Sequence, residues 1–124
     1  SSGNKPCTPF MEALSIADGI VCSNAAQPAP FVARLSECKD GSYRILVGED
    51  YLAVDDEGQL VLTERRGGRF TLVHHGLSRY ALAVPDGSLL RFSSSEKQRP
   101  VTLTEKREAN WYHIFTLYNV EVEQ

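Results

Sequence analysis

The chain has 124 residues, of which 42% are hydrophobic and 23% charged, and its formal net charge at pH 7 is −3. These values are typical of one soluble globular domain, which we place at residues 4–124, with residues 1–3 read as a flexible start outside the fold. They do not favour nucleic-acid binding, which depends on a basic surface. No apolar run approaches the roughly 20 residues that span a bilayer. The sequence does not open with the basic and apolar stretches of a signal peptide, which does not exclude secretion. The location is left open, with the cytoplasm slightly favoured.

Short apolar or alternating segments, separated by Gly, Asp and Ser turns, predict strands along most of the chain. Residues 10–17 are read as a strand that leads into residues 20–22, and residues 25–30 as an irregular connection. Further strands are predicted at 31–35, 43–47, 51–54, 59–63, 70–73, 80–84, 89–92, 101–104 and 111–122. Residues 93–99 are read as a polar loop.

Part of this pattern occurs twice. Residues 43–47 are echoed by residues 80–84, Leu-Thr-Glu-Arg-Arg at 62–66 by Leu-Thr-Glu-Lys-Arg at 103–107, and Phe-Thr-Leu at 70–72 by the same tripeptide at 115–117. The offsets of 37, 41 and 45 residues grow along the chain, as expected where loops lengthen and strands do not. A repeat of this kind dictates architecture.

Each copy holds about four strands in roughly 40 residues, which is also the size of a propeller blade. The chain has room for three such units, whereas a propeller needs about four blades to close. We therefore predict an all-β protein built as a closed, three-fold barrel of three pseudo-repeats. The third unit is split between the termini, with its first strand at 111–122 and its remainder within residues 8–30.

This pattern resembles the β-trefoil superfamily and, within it, the fascin-like group. The matching residues are Phe31, Gly41, Tyr43 to Val47, Gly48, Tyr51 to Val54, Asp55 to Gly58 and Leu60 to Leu62. The second copy keeps Phe70, Gly76, residues 80–84 and Leu89-Leu90, and it replaces the acidic turn by residues 93–98. The Gln-x-Trp signature of ricin-type lectins is absent, since Trp111 is the only tryptophan.

The repeat predicts one buried core with approximate three-fold symmetry. Its members are Phe31, Leu46, Leu52, Leu62, Phe70, Leu82, Leu89, Leu103 and Phe115. Cys22 is predicted to be a small core residue. Cys7 and Cys38 can pair only if their strand ends meet, and no Cys-x-x-Cys motif indicates a zinc or redox site.

No residue pattern indicates catalysis, a metal site or a cofactor. His74 and His75 are neighbours on a predicted strand and should point to opposite faces, so they cannot share a metal ion. The carboxylates at 49–50 and 55–57 lack the ligand spacing of a calcium loop. The serines at 93–95 lack a nucleophile elbow. We expect a protein that is not an enzyme.

The most suggestive surface group is basic. Arg65, Arg66 and Arg69 flank two glycines, and Lys106 and Arg107 lie at the equivalent place in the second copy. Such loops can engage acidic protein surfaces or anionic sugars, and an exposed Trp111 would add a binding hot spot. These six residues are the predicted ligand-binding site.

We expect a monomeric, non-catalytic binding module that recognises a protein partner through strand-connecting loops, and the fascin-like resemblance implies actin as that partner. Two alternatives remain open at this point. One is a lectin of a non-ricin type that binds a glycan, and the other is a loop-based hydrolase inhibitor.

Overall fold

The computed structural model describes residues 2–7 and 13–121, and β-strands dominate that part of the chain. The strands are β1 (Ser2–Cys7), β2 (Ser15–Ala17), β3 (Ile20–Ser23), β4 (Arg34–Glu37), β5 (Tyr43–Val47), β6 (Asp50–Val54), β7 (Leu60–Thr63), β8 (Thr71–His74), β9 (Arg79–Ala83), β10 (Leu90–Arg91), β11 (Arg99–Pro100), β12 (Thr102–Leu103) and β13 (Ile114–Glu121). A 3-10 helix, η1 (Trp111–His113), precedes β13. Among the described residues, no helix is long and apolar enough to cross a membrane.

Six strands close into a barrel. β13 lies between β1 and β9, and β9 also pairs with β8. The ring continues from β8 to β5 where Phe70 and Tyr43 exchange backbone hydrogen bonds of 2.8 and 2.7 Å. β5 pairs with β4, and Ala33, just before β4, exchanges hydrogen bonds of 2.7 and 2.8 Å with Asn4 of β1. Each strand thus has a neighbour on both sides, which satisfies its backbone groups.

Three hairpins, β2–β3, β6–β7 and β10–β12, close one end of the barrel. The N–H of Leu60 donates to the carbonyl of Val101 at 2.9 Å, and the N–H of Val101 donates to the carbonyl of Val21 at 2.8 Å. β3 completes this ring by pairing with β7. The three side chains are 0 to 1% exposed, so the hairpins meet at equivalent core positions.

The barrel repeats the same three-fold relationship. Ala33 bridges to Asn4, Phe70 to Tyr43, and Phe115 to Tyr80, so Ala33, Phe70 and Phe115 are equivalent positions. Six barrel strands with three capping hairpins form a β-trefoil, which confirms the predicted fold class. The third unit is split as predicted, with β13 from one end of the chain and β1, β2 and β3 from the other.

One strand was missed at the sequence level. Ser2 and Gly3 do not lie outside the fold, because β1 pairs with β13 from Ser2 opposite Glu121 to Cys7 opposite Thr116. Its Asn-Lys-Pro centre has low strand propensity, so no local pattern indicates a strand. β1 forms because it pairs with β13, although its own strand propensity is low.

Other boundaries also need correction. The predicted strand 111–122 begins only at Ile114, because residues 111–113 form η1, and its last residue lies outside the described residues. The predicted loop 93–99 ends in β11, which pairs with β3. The predicted strand 10–17 is observed only at Ser15–Ala17, and its residues 10–12 lie outside the described part of the chain.

The hydrophobic core lies inside the barrel and its cap. Of the predicted members, Leu52, Phe70, Leu82 and Phe115 are buried there, and Phe31, Leu62 and Leu103 pack against them. The prediction that Leu46 belongs to the core was wrong. Leu46 is half-buried and Ile45 takes the core position, because neighbouring strand residues face opposite sides. Leu89 is buried in a second cluster with Ala81 and Ala83.

The cysteines do not form disulfides. Cys7 and Cys22 are buried, Cys38 is half-buried, and all three are free. Burial raises the pKa of the Cys7 and Cys22 thiols, because it disfavours the charged thiolate. Cys22 is therefore the small core residue that was predicted, and Cys7 has the same character.

Candidate functional site

The structure separates the six predicted site residues into two loops. Arg65, Arg66 and Arg69 lie in residues 64–69 between β7 and β8, which we call the arginine loop. Lys106 and Arg107 lie in residues 105–110 between β12 and η1, which we call the lysine loop, and Trp111 directly follows it. All six side chains are exposed, Trp111 to 58%.

The glycines of the arginine loop pack against the capping hairpin β6–β7. The N–H of Gly68 donates to the carbonyl of Leu52 in β6 at 3.1 Å. A Cβ atom at Gly67 would lie 2.6 Å from the Cβ of Tyr51, a distance that real side chains do not adopt. Glycine is thus required at position 67 by close backbone approach rather than by flexibility.

Arg44 of β5 also contacts the arginine loop. Its guanidinium Nη1 donates to the carbonyl of Gly67, and its buried Nε atom has no hydrogen-bond partner among the described residues. Sequence reasoning missed this residue, because Arg44 sits within a strand where an outward, solvated arginine is the ordinary expectation. Its second-copy equivalent is Ala81, so the repeat gave no signal either.

Arg69, the last residue of the arginine loop, contacts the β4–β5 turn. Its Nη1 lies 3.3 Å from Oδ2 of Asp40 in the β4–β5 turn. Hydrogen bonds from the hydroxyl and the N–H of Ser42, at 2.6 and 3.0 Å, are the main reason that the pKa of Asp40 is lowered, and Arg69 contributes less. A shallow cavity of about 260 Å³ lies beside this ion pair, against Thr71 and Pro85. Arg69 is therefore an anchor of the loop.

Arg65 and Arg66 differ from Arg69 because their side chains have no polar partner in the described part of the chain. Both are exposed, and within residues 2–7 and 13–121 neither guanidinium forms a hydrogen bond or an ion pair. The N–H of Arg65 donates to the hydroxyl of Thr63 at 3.2 Å, which forms a tight local turn. The loop thus combines a fixed backbone with two available cations.

The lysine loop is anchored in a different way. The Nε of Arg107 donates to the carbonyl of Asp86 at 3.0 Å, and its methylene groups lie 3.5 to 3.8 Å from where a Cβ of Gly87 would be. Hydrogen bonds from Ser88, more than the charge of Arg107, lower the pKa of Asp86. Arg107 therefore holds the loop against the β9–β10 turn.

Trp111 stands at the edge of an aromatic group that includes Tyr112. The two rings meet edge to face with centroids 5.7 Å apart, and the guanidinium of Arg91 lies 5.0 Å from the centroid of Tyr112. Sequence reasoning missed Arg91, because the contact joins β10 to η1 across a long stretch of sequence. The group keeps the exposed indole in a defined position next to the lysine loop.

His113 lies beneath the lysine loop and is 0% exposed. The N–H of Asn110 donates to its Nδ1 at 3.0 Å, so the proton of the neutral ring belongs on Nε2, which lies 3.2 Å from the hydroxyl of Thr104. Burial, with Arg91 and Lys106 nearby, lowers the pKa of His113. The neutral imidazole joins both ends of the loop.

The two neighbouring histidines are the remaining candidate residues from the sequence. His74 and His75 are both exposed; the His74 ring packs on Tyr80 with centroids 5.1 Å apart. Among the described residues, no three His, Cys, Asp or Glu side chains are placed to hold one metal ion. The solvent-facing side chains of the two loops include the basic residues and the carboxylates of Glu64, Glu105 and Glu108, with the Trp111 indole beside them.

Comparisons with known proteins found matches to solved structures only. No protein-family model and no curated protein sequence matches it. Among solved structures, a proteinase inhibitor from Coprinopsis cinerea matches with a TM-score of 0.73 at 10% identity, covering 94% of this chain and 97% of the inhibitor. Cry35Ab1 matches with a TM-score of 0.66 at 11% identity, covering 98% of this chain but only 36% of Cry35Ab1.

At these identities the likeness shows the fold alone. It supports the β-trefoil part of the predicted resemblance, whereas neither structure points to the fascin-like group.

Proposed function

We propose that this chain is a non-catalytic proteinase inhibitor that presents the arginine loop to its target. The fold likeness to a proteinase inhibitor along nearly the whole of both chains supports this alternative better than actin binding or glycan binding, for which the comparisons offer no support. The observation that carries the proposal is the combination of an anchored backbone with exposed, unpaired Arg65 and Arg66 side chains.

Rigidity favours this role because a flexible loop loses conformational entropy when it binds. The Gly68–Leu52 hydrogen bond, the Arg44 contact and the Arg69–Asp40 ion pair hold the residues that follow Arg65 and Arg66 before any partner arrives. The hydrogen bond from the Arg65 N–H to the Thr63 hydroxyl forms the turn on the other side. A preorganised loop keeps more of its contact energy as affinity. It also resists the rearrangement that cleavage of a substrate loop would require.

The exposed side chains indicate the kind of target. Arginine binds carboxylates through paired N–H groups, so its guanidinium suits a proteinase whose primary pocket contains a carboxylate and which cleaves after basic residues. Exposed charges also speed association at low ionic strength. Inhibition should therefore be faster at low salt, and its association rate should fall as the screening length shortens towards about 8 Å at physiological ionic strength.

The test is an inhibition assay with trypsin as the probe enzyme. We expect the double variant Arg65→Ala, Arg66→Ala to weaken trypsin binding at the arginine loop roughly 30-fold or more, because interface hot spots contribute about 2 kcal/mol or more. Lys97→Ala is the matched control, since Lys97 is an exposed cation on the unrelated 93–98 loop. The control should inhibit like the wild type, and both proteins should keep the wild-type melting temperature.

A specificity swap sharpens the test. The variant Arg65→Phe, Arg66→Phe should lose trypsin binding at the arginine loop and gain inhibition of a proteinase with an apolar primary pocket, because the same backbone then presents an aromatic side chain. If the wild type and both loop variants inhibit the same number of trypsin molecules per chain with the same affinity, the arginine loop is excluded. No inhibition by the wild type of any serine, cysteine or aspartic proteinase would exclude the function.

A further inference from the structure

The arginine and lysine loops begin in the same way. Leu60 and Val101 are equivalent members of the cap, and Thr63 and Thr104 each follow three residues later. The N–H of Arg65 donates to the Thr63 hydroxyl at 3.2 Å. The N–H of Lys106 donates to the Thr104 hydroxyl at 3.3 Å. The repeat therefore places Lys106 in the structural position of Arg65.

We propose that the lysine loop is a second and independent proteinase-binding site, so that one chain binds two enzyme molecules that prefer basic residues. This inference rests on the proposed inhibitory function. Lys106 supplies the basic side chain of the second site, and Trp111 supplies an apolar contact beside it.

The lysine loop is as firmly held as the arginine loop. The N–H of Leu89 donates to the carbonyl of Lys106 at 2.9 Å, and the hydroxyl of Thr104 donates to the carbonyl of Leu89 at 2.7 Å. Arg107 is tied to Asp86, and His113 lies buried beneath. The Lys106 side chain is exposed, and its amine forms no hydrogen bond or ion pair within the described residues. The preorganisation argued for the first site applies here too.

The two loops face different directions. They occupy equivalent places in neighbouring units of a three-fold barrel, so about a third of a turn around the barrel axis separates them. Two partners can then approach from different sides of the molecule.

The third unit lacks a basic residue at the position of Arg65 and Lys106. Val21 is the equivalent of Leu60 and Val101, which places Ala26 at the position of Arg65 and Gln27 at that of Arg66. Asn24, at the threonine position, adopts a positive φ of 57° and donates from its side chain to the carbonyls of Ser95 and Glu96. The expected stoichiometry is therefore two enzymes per chain rather than three.

Trp111 allows binding at the lysine loop to be detected separately from binding at the arginine loop. It is the only tryptophan in the chain, so a protein labelled with 5-fluorotryptophan gives one fluorine resonance at the edge of the lysine loop. Binding at the lysine loop should shift this resonance, and binding at the arginine loop alone should leave it in place.

The experiment titrates trypsin into the wild type, Arg65→Ala/Arg66→Ala, Lys106→Ala, and the combined triple variant, with Lys97→Ala as control. Complex mass is measured by light scattering, residual activity by substrate hydrolysis, and Trp111 by fluorine NMR. We expect two enzymes per wild-type chain and one per chain of the arginine-loop variant, which should still shift the Trp111 resonance. Lys106→Ala should bind one enzyme without that shift, and the triple variant should bind about 30-fold or more weakly at both sites.

The outcomes separate the two proposals. A wild type that inhibits through one enzyme per chain, lost entirely in Arg65→Ala/Arg66→Ala and with an unmoved Trp111 resonance, overturns the second site and keeps the proposed function. A wild type that binds no proteinase overturns both. Equal melting temperatures among the variants show that no result comes from unfolding.

Discussion

The Nε2 atom of His113 lies 3.2 Å from the hydroxyl oxygen of Thr104, while the N–H of Asn110 donates to the opposite ring nitrogen at 3.0 Å. Protonation of Nδ1 would remove the acceptor that Asn110 uses and place a charge in a site that is 0% exposed. The lysine loop therefore depends on a neutral imidazole.

This relationship predicts acid sensitivity near neutrality. Burial lowers the pKa of His113 from its ordinary 6.5, so the unfolded chain takes up the proton before the folded one does. The stabilisation is fully present above pH 6.5 and is lost as pH falls below that value towards the folded pKa. The free energy of unfolding, measured by denaturant titration between pH 5 and 8, should fall over this interval in the wild type.

The matched variant for that measurement is His113→Gln, which keeps polar groups but does not titrate. It should be less stable than the wild type at pH 8, and its stability should change less between pH 7 and pH 5 than that of the wild type. An identical pH profile in both proteins would contradict the role assigned to His113.

Gly67 should tolerate no side chain. A Cβ at this position would press on Tyr51 and on the backbone of Leu52, so Gly67→Ala should cost about 1–3 kcal/mol, as overpacking usually does. Gly68→Ala is the control, because its Cβ would meet the Phe70 ring at 3.4 Å, close to ordinary contact. Denaturant titration should rank Gly67→Ala well below Gly68→Ala, and equal stabilities would argue against close backbone packing there.

Phe70 is a principal core residue. It is 1% exposed, and its backbone closes the barrel against Tyr43. Truncation to alanine should cost about 3–5 kcal/mol, a large share of the stability of a typical domain. Loss of the folded state in Phe70→Ala agrees with this, so Phe70→Leu, which should cost less and remain folded, provides the measurable value.

Ala33 occupies the position that phenylalanine fills in the other two units. It lines an apolar cavity of about 30 Å³ that Phe115 and Leu60 also border. Ala33→Val should fill part of this space and raise stability by about 0.5–2 kcal/mol, the usual range for cavity filling. The same change at Ala53, a half-buried position on β6, is the control; a lower melting temperature for Ala33→Val alone would show that the cavity cannot accept the added methyl groups.

The sequence by itself determined the repeat and therefore the class of fold. Alternating apolar residues and Gly or Asp turns specify strands locally, and the echo of 43–47 at 80–84 and of 62–66 at 103–107 follows from equivalent places in the barrel and its cap. The same repeat identified the arginine and lysine loops, because charged residues that follow the same repeated strand pattern lie at equivalent positions after the capping hairpins.

Only the tertiary structure placed the residues that no local pattern describes. β1 exists because β13 pairs with it, and Arg44 and Arg91 reach loops that are distant in sequence. The structure also distinguished two kinds of exposed cation. Arg69 and Arg107 contact neighbouring turns, whereas the side chains of Arg65, Arg66 and Lys106 form no hydrogen bond or ion pair with the described residues. Local sequence sets strand propensity and turn geometry, but the partner of a side chain depends on which distant backbone the closed barrel brings beside it.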